Sequence, residues 1–247
     1  MQQYNYLLTI SFLGTNYHGS QIQNNAVTVQ QTLQNALYDI LSSDTEVKFC
    51  SRTDSGVHAF MFCLSFFSPK ELTEHSFLSR LNHLLPADIR AVSLKKVPLD
   101  FHARYSSVGK KYEYYIWTGK AMSPFWEGRA LYIHNGLDIQ AMQNVASHLI
   151  GTHDFSSFTS RKCSVDDKIR TIFDISIECK ESELYIIGIH ADGFLYNMAR
   201  ILVGALIQCS RGKITPDDID EYLNGRKRDN LLITVPAYGL YLKEVYY

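Results

Sequence analysis

The segment "EVKFCSRTDSGVHAFMFCLSFF", residues 46–67, reads as two strands, "EVKFCS" and "VHAFMFCLSFF", separated by "RTDSG". The strands are short, apolar and aromatic, and the Asp-Ser-Gly between them supplies turn chemistry. Working outward, "YNYLLTISFLG" (4–14) is a third strand closed by glycine. "VTVQQTLQNALYDILSS" (27–43) places Val29, Leu33, Leu37, Ile40 and Leu41 on one helical face. On the other side, "EHSFLSRLNHLL" (74–85) is an amphipathic helix and "IRAVSLKKV" (89–97) a strand. Strand, helix, two strands, helix, strand is the split βαβ order of a ferredoxin-like sandwich.

A similar succession follows residue 106. "KKYEYYIW" alternates as a strand, "DIQAMQNVASHLI" is helical, "IRTIFDISIEC" and "ELYIIGIHA" form a strand pair, "FLYNMARILVGALIQCS" is helical, and "YGLYLKEVYY" closes with a strand. "TPDDIDEYLNG" adds a short helix with Thr215 at its N-cap, Pro216 at its first position and Gly225 just past its end. The expected class is α+β. Two ferredoxin-like, RRM-like halves, 1–106 and 107–247, share a continuous, mostly antiparallel sheet with helices on one face and a central cleft.

Composition narrows the function. The 247 residues are 46% hydrophobic, enough for a sizeable core, and the 16 Tyr and 13 Phe argue against a disordered chain. Cys50, Cys63, Cys163, Cys179 and Cys209 show neither disulfide-framework nor zinc spacing, and are expected to be reduced thiols, mostly buried. No apolar run is long enough to span a bilayer, so no membrane association and a cytoplasmic location are expected. With 24 Lys plus Arg against 25 Asp plus Glu, any nucleic-acid surface must be local. Candidates are Lys110 and Lys111, Arg161 and Lys162, Arg211 and Lys213, and "GRKR" at 225–228.

Arg200 lies in a helix that is apolar almost all round, which is the pattern of a buried helix. A buried guanidinium requires an anion, because removing one partner of a buried pair costs about 3–5 kcal/mol. Asp54, in a tight turn at a strand end, is the first candidate; alternatively it bonds only its own turn amides. His58 reads as a structural hydrogen-bonder at the start of a strand, and Gly56 as the residue that permits a positive φ. Phosphate cradles, dinucleotide-binding glycines and nucleophile elbows are absent from the sequence, and no residues at metal-binding spacing accompany His58.

"SRTDSGVHAF" (51–60) resembles the G-R-T-D-x-G-V-H-A signature of the tRNA pseudouridine synthase A family. "FLGTNYHGSQIQ" (12–23), "FHARYSSVGKKYEYYIW" (101–117), "GTHDFSSF" (151–158), "ADGFLYNMARILVGALI" (191–207) and "TVPAYGLYLKEVYY" (234–247) are similar, in order, to that family's other motifs. The resemblance covers nearly the whole chain. It implies isomerisation of uridine to pseudouridine, without cofactor or metal, on the 3′ side of the tRNA anticodon stem-loop (positions 38–40), by a homodimer that holds tRNA jointly.

Carried over by residue, the resemblance makes Asp54 the catalytic aspartate and Arg200 the cation that pairs with it; an opposite charge nearby favours the ionised carboxylate. Tyr112 becomes the aromatic that stacks on the extruded uracil, and Arg52 the arginine that faces RNA. Lys110, Lys111, Arg161, Lys162 and Arg170 are weaker phosphate-contact candidates. The chain departs from the family pattern at Leu13 (Asp), Ser20 (Trp) and Ser51 (Gly), and its "FMFCLSFF" replaces a strand of glutamine and small residues. These departures keep open a divergent relative that binds RNA with altered specificity or without catalysis. Two rivals are an RNA-binding module, although no RNP1 pattern is present, and a glycosidic hydrolase, which normally needs two carboxylates.

Overall fold

A computed structural model describes residues 3–160, 163, 165–181 and 183–247. The chain is α+β and divides into two compact units, one formed by Met1–Val108 with Tyr241–Tyr247, the other by Gly109–Leu240.

In the first unit the expected order appears as β1 (Tyr4–Phe12), α1 (Val29–Leu41), β2 (Val47–Phe49), β3 (His58–Ser68), α2 (Glu74–Leu84) and β4 (Ile89–Val97). β1 is central, pairing antiparallel with β3 and with β4. The free edge of β3 is shared between two strands. β2 pairs antiparallel with its Leu64–Phe66 end, and the chain's final strand pairs in parallel with His58 and Ala59 through Tyr241 and Leu242. Helix α1 starts where the Thr28 hydroxyl accepts from the Gln31 N–H (3.3 Å), and the apolar face read from its sequence is buried.

The aromatic run in β3 belongs largely to the core. Phe62 packs against Phe12 and Phe49 (centroids 5.4 and 4.8 Å), and Phe66 against Tyr6 and Phe77 (both 5.9 Å). Most of this divergent strand therefore repacks the interior; Phe60 and Met61 are its exposed large side chains.

The second unit contains β5 (Gly109–Trp117), β6 (Leu131–Tyr132), α3 (Ile139–Leu149), β7 (Gly151–Asp154), β8 (Ile169–Glu181), β9 (Leu184–Ala191), α4 (Met198–Ser210) and α5 (Pro216–Leu223); the final strand is β10 (Leu240–Tyr246). β5, β9, β8 and β7 pair successively, all antiparallel, and β6 adds in parallel to β5. The short strands β6 and β7 were not anticipated. α4 is buried on nearly every side, as its composition requires, although it begins at Met198 rather than Phe194 because Asn197 adopts a left-handed conformation (φ 62°). Thr215 and Asp218 form a reciprocal capping box at α5, with Pro216 at its first turn. None of the five cysteines forms a disulfide; Cys50, Cys63 and Cys209 are buried.

Candidate active site

Residues 51–57 connect β2 to β3 and carry Arg52 and Asp54. Their conformation is fixed from the segment Gly14–Ser20, which follows β1. The Thr53 N–H donates to Ser20 Oγ (2.9 Å), and the Ser20 N–H returns a bond to the Thr53 carbonyl (3.2 Å). Ser55 Oγ donates to the Tyr17 carbonyl (3.2 Å), and the Gly14 N–H donates to His58 Nδ1 (2.9 Å). Within the loop, the Val57 N–H closes a turn on the Asp54 carbonyl (3.2 Å), where Gly56 takes φ 81°. Gly14 must lack a side chain, because a Cβ there would overlap the Val57 carbonyl.

The bracing segment is itself anchored. The Tyr17 phenol donates to Asp88 (2.7 Å), and burial, then that carboxylate, holds the phenol's pKa above its ordinary range. His58 is wholly buried and stacked on Tyr241 (4.6 Å, 29°), and Tyr241 stacks in turn on Phe60 (5.1 Å, 18°). His58 thus takes the structural role read from its position. On this frame Asp54 is half-buried and Arg52 exposed.

The departures from the family pattern fall on this frame in different ways. Ser20 is fully buried and supplies the acceptor for Thr53. The Leu13 N–H donates to the Asp88 carbonyl (2.9 Å) while its side chain is exposed. Ser51 Oγ lies 3.8 Å from Cys50 Sγ. The role of Ser20 was not legible, because its signal is a buried hydroxyl facing a backbone N–H across 33 residues.

Tyr112 and Arg200 belong to the second unit. Tyr112, on β5, is 7% exposed and meets Phe194 edge-on (4.9 Å, 78°). The alternation that put Tyr112 and Tyr114 on one face is present in β5; Tyr114 is also buried and donates to the Pro236 carbonyl (2.9 Å). Burial pushes its phenol's pKa up and the Tyr238 hydroxyl adds to this, while the positive charge of Arg200 acts in the opposite sense. Arg200, in the first turn of α4, is half-buried. Its Nε donates to the Val235 carbonyl (2.8 Å) and its Nη1 to Asn197 Oδ1 (3.0 Å). Sequence reading asked only for an anion and overlooked these neutral acceptors, which fix the plane of the guanidinium.

The other basic candidates separate by environment. Lys110, Lys111 and Arg170 are half-exposed, Arg211 and Lys213 exposed, and Arg161 and Lys162 lie outside the described residues. Among the arginines of "GRKR", Arg226 is bound to Asp218, Glu221 and Asp229 (2.9, 2.9 and 2.8 Å), and Arg228 donates to the Leu232 carbonyl and Thr234 hydroxyl (both 2.8 Å from Nη2). Of that tetrapeptide's basic residues only Lys227 is exposed. Among the described residues no group of three His, Cys, Asp or Glu could hold a metal ion, and no helix is long and apolar enough to cross a membrane.

Known proteins resemble this chain along most of its length. A family profile described as tRNA pseudouridine synthase matches residues 8–106 and 145–247. A tRNA pseudouridine synthase A of Acetivibrio thermocellus is 42% identical over 243 residues, covering 98% of this chain and 99% of the relative. Proteins of the same name from Ruminiclostridium cellulolyticum and Listeria monocytogenes are each 40% identical, over 240 and 244 residues, covering 97% and 98% of this chain and 98% of each relative. The profile and these relatives span both the Asp54 loop and the Arg200 helix, so the chain belongs to the tRNA pseudouridine synthase family.

Proposed function

We propose that this chain converts uridines of tRNA to pseudouridine with Asp54 as its catalytic carboxylate, and that its targets lie on the 3′ side of the anticodon stem-loop. The enzyme class follows from the family, and the choice of Asp54 from the resemblance of residues 51–60 to the family signature. The observation that carries the assignment is the pinning of the loop at Thr53, Ser55 and Val57. It holds Asp54 on a fixed backbone.

The reaction breaks the bond between C1′ and N1, turns the uracil and rejoins it through C5. The C5 hydrogen leaves to solvent and N1 gains one, so substrate and product are isomers. What the protein must provide is a carboxylate about 3–3.5 Å from the reacting centre and a site that retains the detached base. Tyr112, its ring steadied by Phe194, is the proposed stacking surface for the uracil, a contact worth about 1–3 kcal/mol. Arg200 is the proposed cation that keeps Asp54 ionised. Arg52, exposed beside Asp54, is the proposed RNA contact that offsets the unstacking of the extruded base. A homodimer in the cytoplasm completes the proposal: two nearly neutral chains can align local basic groups into one groove that reads RNA shape.

Unmodified tRNA carrying tritium at uracil C5 separates this function from its rivals. An isomerase releases tritium to water and leaves pseudouridine in the chain. Release of free uracil would instead identify a glycosidic hydrolase, and binding with neither product an RNA-binding module.

A further inference from the structure

Within the loop that carries Asp54, the backbone of Thr53 is held twice by Ser20, as donor and as acceptor, and Ser20 is fully buried. Gly19 adds to this hold, since a Cβ there would come within 2.7 Å of the Thr53 carbonyl. The Thr53 side chain is treated differently. The residue is 9% exposed, and its Oγ1 is buried with no hydrogen-bond partner among the described residues.

Three other buried side-chain oxygens share that condition, on Asn5, Gln34 and Gln208. Asn5 and Gln34 still bond through their amide nitrogens, to the carbonyls of Pro98 and Thr45. Among the described residues the Thr53 hydroxyl has no partner, and of the four it alone lies in the loop of Asp54. A desolvated hydroxyl left unpaired destabilises the folded state. Valine has the same shape without that penalty, so the fold by itself gives no reason for threonine here.

Resting on the function proposed above, we infer that the Thr53 hydroxyl is a further group of the reaction, one that takes its hydrogen bond from the bound uridine. Arg52 and Ser55, on either side of Thr53 and Asp54 in the loop, are exposed, and RNA binding must displace whatever covers the hydroxyl for that bond to form. A hydrogen bond made only once the uridine is everted and reacting stabilises that state over the initial tRNA complex, so its loss appears in turnover. Overall tRNA affinity is dominated by phosphate contacts and changes little.

The test compares Thr53→Val and Thr53→Ser with the parent chain in single-turnover tritium release, tRNA binding and thermal unfolding. Thr53→Val is expected to unfold at the same or a higher temperature and to bind tRNA within about twofold. Its release should be slower by about tenfold, the loss of one hydrogen bond. Thr53→Ser, which keeps the hydroxyl, should release at close to the parent rate. A valine variant as fast as the parent would show the hydroxyl to be idle. A valine variant that unfolds earlier, or a serine variant equally slow, would make the role structural and overturn the inference. If the parent itself releases no tritium, the proposed function fails and this inference with it; if the parent releases and the variants do not differ, only the inference fails.

Discussion

Two loops of this chain each set an arginine near an aspartate and are held mainly through different groups. The 51–57 loop is held through its backbone: Ser20 and Tyr17 bond its main chain and the Ser55 hydroxyl, and the Gly14 backbone lies against it. The 226–229 segment is held largely through its side chains, with Arg226 on three carboxylates and Arg228 on a carbonyl and a hydroxyl, beside main-chain bonds of Arg226 with Glu221 and Ser157. Where the main chain carries the restraint, a charged side chain such as Arg52 is left exposed for chemistry or binding. Where the side chains carry it, the arginine donors are already engaged. A run of basic residues therefore says little about RNA until the carboxylates around it are placed.

Among changes that leave Asp54 in place, the largest effect is expected from breaking the backbone hold. Gly14→Ala forces the Val57 carbonyl aside, and because a displacement of about 1 Å at a reacting group can reduce rate about 100-fold, tritium release should fall by at least that factor. Its unfolding temperature should fall as well. A well-folded, active Gly14→Ala protein would show that the loop tolerates movement.

In the second unit, Arg200→Met removes a guanidinium bonded to Val235 and Asn197 and, on the proposed function, the cation serving Asp54. Release slower by about 100-fold with weakened folding is expected, somewhat below the scale of a broken buried pair because Arg200 is half-buried. An active and stable variant would remove Arg200 from the site.

A paired substitution sharpens the contrast between the loops. Arg52→Gln should weaken tRNA binding a few-fold and reduce the salt dependence by about one phosphate contact, with unfolding unchanged. Arg226→Met should lower the unfolding temperature and leave tRNA binding unchanged. The opposite pattern would invert the assignment of the two loops.

The smallest effect is the pH dependence of that stability difference. The Asp218 carboxyl is held below its ordinary range first by the Thr215 backbone N–H, then by the Thr215 hydroxyl and Arg226. A depressed carboxylate contributes its stability above the ordinary value of about 3.9, and loses it as pH falls through the lower folded value. The gap in unfolding temperature between the parent and Arg226→Met should accordingly narrow toward zero in strong acid.

Much of the fold was legible because its strands and helices carry clean periodicities: the α1 face, the β5 alternation and the α5 cap appear where the residues put them. β6 and β7, of two and four residues, are too short to show a period. Arg200 stands out as a charge in an apolar helix and Asp54 as a carboxylate in a tight turn, while Arg52 and Tyr112 could be singled out because each falls on a family motif. Ser20, Thr53 and Tyr17 could not. Their parts depend on which backbone group a hydroxyl or carbonyl meets across a long stretch of chain, and neither periodicity nor charge records that.

The account turns on Asp54, and Asp54→Asn tests it most directly, in tritium release from C5-labelled tRNA alongside unfolding and tRNA binding. The expected result is no detectable release from a protein that unfolds at the parent temperature and binds tRNA with parent affinity. Release at the parent rate from the asparagine variant would contradict it.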